Sequence, residues 1–350
     1  MRIIFSVVFL LVLVFSCPGT LCLACTSFCL DTRDGPVFGA NLDFTIGEGL
    51  VFANKRGVSK GGYLASTAGE VAKWTSKYGS LTFNLVGREF AWCGMNEAGL
   101  VVSTMWLEQS GLPAPDERPP LVSGFWVQYQ LDNCATVQEV VLTDSLVRLA
   151  QDPCHFLVCD AQGDCVTIEF LDGRLVCHAG DSLRVKALTN IPYAEAFPYL
   201  ERDTLPREDP GASVKRFVGA ARDLKSYAEP CSVSAVDYTM HTLTGTVVAD
   251  HTKWSIVFDI PEREAYFRTA VNPSQRHVSF GGFDFSCETP LMMLDVNSSE
   301  QGDVKKFFKE YDRDVNLGVF LNFCEKWGFE ISEEDAEEFM VFLESFPCAM

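Results

Sequence analysis

Residues 3–15 are apolar except for Ser6, Arg2 stands in front of them, and Ser16, Cys17, Pro18 and Gly19 close the run with small residues and a helix breaker. The run is too short to cross a bilayer. A basic start, a brief apolar segment and a small-residue exit form the pattern of a secretory signal. Cys22 and Ala24 would then occupy the minus-three and minus-one positions of a cut before Cys25. A second reading treats Val14-Phe15-Ser16-Cys17 as a lipobox-like stretch that would acylate Cys17 and tether the protein to a membrane, a pattern that Phe15 fits poorly. No later segment is long and apolar enough to span a membrane. The expectation is an exported protein, periplasmic or secreted, lipid-anchored only on the second reading, whose mature chain begins Cys25-Thr26-Ser27-Phe28.

Export permits disulfides. Of fourteen cysteines, twelve remain after a cut before Cys25, and keeping Cys25 as a thiol leaves an odd number, so at least one more stays reduced or bonds elsewhere. The best local pair is Cys159 with Cys165, at the inner ends of two strand-like runs, 156–159 and 165–170, joined by the turn Asp160-Ala161-Gln162-Gly163-Asp164. No paired CxxC or Cys/His spacing supports a metal site, and no cofactor is expected. Asp and Glu number 47 against 28 Lys and Arg, a charge that repels nucleic acid and anionic membrane faces.

Residues 25–300 read as one continuous body in which strand-like runs (81–86, 100–106) alternate with helical stretches (122–130, 137–149, 216–228). The Pro-rich stretch 112–120 reads as a surface loop. After residue 300 the texture changes to two amphipathic acidic helices, near 303–327 and 333–346, expected to be an appendage packed on the body or a partner-binding arm.

A cysteine exposed by processing carries a thiol nucleophile and a free α-amine whose ordinary pKa lies near 8, so the residue can supply its own base. The run 25–30, the turn Asp31-Thr32-Arg33-Asp34-Gly35 and the run 36–44 form a hairpin. Centred near Arg33, it pairs Cys25 with about Asn41 and sets Asp43 diagonally opposite on the same face, where a carboxylate would hold the terminal ammonium. On the competing reading, Cys25 is one more disulfide cysteine, perhaps of Cys29, and Asp43 caps a strand.

Several segments together resemble one family. They are Cys25-Thr26, Asn41-Leu42-Asp43, Trp74-Thr75-Ser76-Lys77-Tyr78-Gly79-Ser80, Gly94-Met95-Asn96-Glu97-Ala98-Gly99-Leu100 and Leu188-Thr189-Asn190-Ile191-Pro192, continuing through Arg216-Phe217 to about Trp254. As a set they are similar to the choloylglycine hydrolases, N-terminal-nucleophile amidases that include bile salt hydrolases and penicillin V acylases. Trp106 and the segment 74–80 are most similar to the exported acylases of Gram-negative bacteria. The resemblance implies an α+β fold of four layers, αββα, with two stacked antiparallel sheets.

Carried over, it makes Cys25 the nucleophile, its amine the base, Asp43 the orienting carboxylate, Asn190 an oxyanion donor and Arg216 the family's later active-site arginine. Trp106 stands in the substrate and oxyanion pocket, where many relatives have asparagine. The implied partner is a small N-acyl amide: penicillin V, a conjugated bile acid or an N-acyl homoserine lactone. Relatives are often homotetramers, so the resemblance implies an oligomer. One departure is Ala40, where relatives have an arginine that would favour thiolate. From another class comes the alternative of a disulfide-stabilised, inactive exported scaffold.

Overall fold

The computed structural model describes residues 24–63, 71–202 and 212–349. The proposed signal sequence falls on residues outside this set, apart from Ala24. Two large sheets dominate. The first has seven strands in the order β14 (Ala187–Thr189), β1 (Ala24–Leu30), β2 (Val37–Asp43), β15 (Thr252–Asp259), β16 (Glu264–Thr269), β17 (Arg276–Ser279) and β19 (Gly302–Asp303). The second has nine: β13 (Arg174–Ala179), β12 (Cys165–Leu171), β11 (Cys154–Cys159), β8 (Val101–Trp106), β7 (Ala91–Asn96), β6 (Ser80–Asn84), β3 (Leu50–Asn54), β18 (Met292–Asp295) and β20 (Lys309–Glu310). Two small pairs, β4 (Ser59–Gly61) with β5 (Lys73–Thr75) and β9 (Pro120–Leu121) with β10 (Arg148–Leu149), complete the strands. Pairing is antiparallel throughout except for β17 with β19 and β9 with β10.

The sheets stack with β1 over β8 and β11, and a hydrogen bond of 2.9 Å between Ser27 Oγ and Ser103 Oγ crosses between them. Helices α3 (Tyr193–Arg202), α4 (Ser213–Ser226) and α5 (Ala235–Gly245) sit on the first sheet. Helices α1 (Ser123–Asn133) and α2 (Val137–Leu142) cover the second, joined in its outer apolar cluster by α6 (Arg313–Trp327) and α7 (Glu333–Glu344). This is the expected four-layer α+β arrangement. Its central strands β1, β2, β3, β6 and β7 are buried on both faces, and they bury polar side chains such as Thr26, Asn41, Thr82 and Asn96 along with the apolar ones. Among the described residues, no helix is long and apolar enough to cross a membrane.

The helical stretch expected at 137–149 stops at Leu142, giving way to a short 3₁₀ turn and to β10. The segment after residue 300 is built into the same body: β19 and β20 join the two sheets before the helices begin. Each tail helix buries a stripe at helical spacing, Phe320 and Cys324 on α6 and Ala336, Phe339, Met340 and Leu343 on α7. Asp312 and Ser332 cap their N-termini, and Glu333, Glu334 and Asp335 place negative charge in the first turn of α7, where the helix dipole favours it. Disulfides join Cys159 to Cys165, as expected, and Cys287 to Cys348, a pair the sequence reading did not single out.

Candidate active site

The β1–β2 hairpin is set by its turn. Thr32 Oγ1 donates to Gly35 O at 2.6 Å, and Gly35 takes a φ of 124°, a conformation that side chains disfavour. Pro36 has no N–H to give the ladder, so β2 begins at Val37 and the symmetry point falls between Arg33 and Asp34. The expected register is therefore corrected by one residue: Cys25 pairs with Leu42, Thr26 with Asn41 and Ala24 with Asp43. Because side chains alternate, the shift also corrects the expected shared face. Cys25, Ser27, Leu42 and Ala40 lie on the inter-sheet face, whereas Asp43, Asn41 and Thr26 lie on the helix-covered face.

On that face, a bulge at Lys253 shifts the register of β15 between Thr252 and Trp254, and Thr252 Oγ1 donates to Asp43 Oδ1. From α4, Arg216 Nη1 donates to Cys25 O and, at 2.7 Å, contacts Thr26 Oγ1; it lies 3.9 Å from Asp43 Oδ2. Burial pushes the Asp43 carboxyl from its ordinary 3.8 up to about 7, with Arg216 and Thr252 pulling in the opposite direction.

Asn190, just past β14, joins these groups. Its Oδ1 accepts from the main-chain N of Cys25 and, at 3.1 Å, from Arg216 Nη2. Its Nδ2 donates to Trp106 O at 2.8 Å. An amide nitrogen has two hydrogens, so one remains for a ligand oxygen. Asn190 thus holds the Cys25 nitrogen, Arg216 holds the Cys25 carbonyl, and Asp43 stands beside Arg216.

Cys25 and Asp43 border a cavity of about 240 Å³ that also takes in Trp106. Its walls include Leu85, Phe90, Trp92, Val122 and Ile331, with Ser123, Gln151 and Asp152 among the few polar residues. Cys154 also lines it; burial, then Asp152 and Cys25, raise the Cys154 thiol well above its ordinary range. The sequence reading missed three groups around the site. Thr252 and Ser213, which contacts Arg216 Nη2 at 3.2 Å, carry no local signal. The third is the tail: Phe320, Phe323, Trp327, Phe329 and Phe339 all line the cavity.

Other segments of the shared pattern are structural. Trp74 Nε1 donates to Asp132 Oδ2 at 2.7 Å, and Asp132 pairs with the buried Lys60 at 3.0 Å. Asn96 fastens the β7–β8 turn by accepting from Leu100 N at 3.0 Å and donating to Leu131 O and Cys134 O. Segment 74–80 does not line the cavity. Ala40 is fully buried opposite Ser27, diagonal to Cys25 on its face. The three sulfurs of Cys29, Cys159 and Cys165 lie within 4.8 Å of one another, but two of them form a disulfide, which removes them as metal ligands.

A cysteine near the start of a strand in an αββα stack, its nitrogen bonded to Asn190 and its carbonyl to the buried Arg216, has the architecture of the N-terminal-nucleophile hydrolase fold. Residues 25–202 match the model of the linear amide C-N hydrolases of the choloylglycine hydrolase family, more than half of the chain. The chain belongs to that family. A match 140 residues long is 34% identical to a penicillin V acylase of Pectobacterium atrosepticum and covers 34% of this chain and 36% of the relative. Penicillin V acylase from Agrobacterium tumefaciens superposes with a TM-score of 0.71 at 25% identity, covering 82% of this chain and 98% of that one. A mutant conjugated bile acid hydrolase from Clostridium perfringens superposes with a TM-score of 0.61 at 14% identity over 82% of this chain and 96% of that one, a likeness of fold.

Proposed function

We propose that the chain is exported, loses residues 1–24 and hydrolyses the linear amide bond of N-acylated small molecules through a thioester on Cys25. The observation that carries this reading is that Asn190 and Arg216 hold the backbone of Cys25, with Asp43 beside Arg216, at the edge of an apolar cavity.

The freed α-amine takes the thiol proton and Sγ attacks the amide carbonyl carbon. Negative charge moves to the carbonyl oxygen, toward the second Nδ2 hydrogen of Asn190, a contact worth roughly 3 kcal/mol in such sites. The tetrahedral centre then collapses, the C–N bond breaks, and the α-ammonium returns its proton to the leaving amine. Water, deprotonated by the same amine, opens the thioester and releases a carboxylic acid. Arg216 fixes the Cys25 carbonyl, and Asp43 lies where it can hold the ammonium.

The apolar walls favour an apolar acyl group. Penicillin V, the substrate in the names of two relatives, carries a phenoxyacetyl group of that kind. Phenoxyacetyl and fatty-acyl amides, including N-acyl homoserine lactones, are expected to be cleaved ahead of bile conjugates. The test is a panel of these amides with processed wild type and Cys25→Ala. Turnover lost in the variant supports the reading. A wild type that cleaves nothing, with Cys25 held in a disulfide, makes the chain an inactive scaffold.

A further inference from the structure

The cavity beside Cys25 is closed on one side by the tail helices. Trp327, at the end of α6, stacks on Phe44, the residue after Asp43, with ring centres 5.1 Å apart at 25°. It also meets Phe323 at 6.0 Å and the edge of Trp106 at 6.5 Å. Deeper in, Phe339 of α7 packs against Tyr63, Phe320 and Phe90 at 4.8, 5.0 and 5.7 Å. The two helices therefore supply aromatic surface along the cavity from its nucleophile end inward.

This wall is fastened at several points. Asn316 Oδ1 on α6 accepts from Arg88 N at 2.8 Å, and Lys326 pairs with Glu48. Beyond α7, Ser59 N donates to Pro347 O at 2.8 Å, Ala349 N donates to Gly57 O at 2.7 Å, and Cys348 is bonded to Cys287. A surface clamped in this way selects by shape, because its aromatic rings cannot withdraw without breaking those contacts. The charged side chains that line the cavity, Asp43, Asp152 and Asp335, are all acidic, so an anionic group placed among the rings would be repelled.

We propose that α6 and α7 form the acyl-recognition wall of this site, with Trp327 as its specificity-determining residue. The acyl group they take is apolar and not anionic, a straight-chain alkanoyl. This rests on the amide-hydrolase reading, since it assigns the acyl side of that substrate.

The experiment titrates processed Cys25→Ala protein, and the same protein carrying Trp327→Ala or Phe323→Ala, with straight-chain carboxylic acids from acetate to decanoate by calorimetry. Acyl-length profiles of kcat and KM are measured alongside in the Cys25 background. Affinity in the Cys25→Ala protein should rise about fourfold per methylene until the cavity is filled. Trp327→Ala should flatten this to about twofold and raise KM for long acyl amides more than it lowers kcat. Trp327→Phe should restore most of the slope. An unchanged slope in Trp327→Ala and Phe323→Ala, with melting temperatures like the parent's, overturns the proposal. If Trp327→Ala does not fold, the Phe323→Ala and Trp327→Phe slopes decide alone. Graded acid binding without cleavage of any amide would sink the hydrolase reading and leave the wall standing, whereas cleavage with no dependence on acyl length sinks only the wall.

Discussion

Ala24 and Asp43 face each other across β1 and β2, one residue ahead of the proposed nucleophile. A cut after Ala24 therefore creates an ammonium beside a carboxylate that is already buried and already flanked by Arg216. The new charge replaces a peptide N–H, and the favourable ion contact lowers the pKa of Asp43.

In a chain that retains Ala24, Asp43 titrates near 7 rather than its ordinary 3.8. Its protonated form is then favoured by folding, so its contribution to stability is complete below the unfolded pKa and is lost as pH rises through about 7. The melting temperature of this chain should fall between acid and neutral pH by more than that of its Asp43→Asn variant. Parallel curves would show that Asp43 is not raised.

Thr252 holds Asp43 Oδ1, and that hydrogen bond lowers the carboxyl's pKa. Thr252→Val should raise it further, moving the acid limb of the pH–kcat profile to higher pH, and should cost about 1 kcal/mol of stability. An acid limb that stays in place would separate Asp43 from catalysis.

Asn190 both accepts from Cys25 N and donates to Trp106 O. Asn190→Asp keeps the shape and the acceptor but removes the donor. Turnover should fall about 10²–10³-fold with KM changed much less, as measured on the best amide of the panel.

Much of this was legible because it is written in local chemistry. The turn from Asp31 to Gly35 predicts the hairpin, and the processed cysteine and Asp43 fall at its open end. The register was misread by one residue because Pro36 was counted in the strand; its missing N–H excludes it, which moves Asp43 to the other face. The tail helices were legible as amphipathic from stripes such as Phe320, Phe323, Cys324 and Trp327. What their apolar faces cover was not, since periodicity names a face and never its partner. Thr252 reaches Asp43 through a bulge, and Arg216 reaches Cys25 from across the chain, contacts that only the fold creates.

Ala40 lies diagonal to Cys25 on the inter-sheet face and is fully buried. Ala40→Arg should shift the iodoacetamide-labelling profile of Cys25 to lower pH by favouring thiolate, while overpacking costs about 1–3 kcal/mol of stability. A labelling profile that does not move would show that this position does not reach the nucleophile.

The central claim is that Cys25, as the first residue of the processed chain, carries the acyl group. The direct measurement is mass spectrometry of the protein mixed with a cleavable amide and quenched in acid during turnover, followed by digestion. The account predicts an N-terminal peptide that begins at Cys25, heavier by the acyl group on its sulfur, with the adduct absent in Cys25→Ala. A chain that turns over the amide while starting upstream of Cys25, or while carrying the acyl group on another residue, contradicts it.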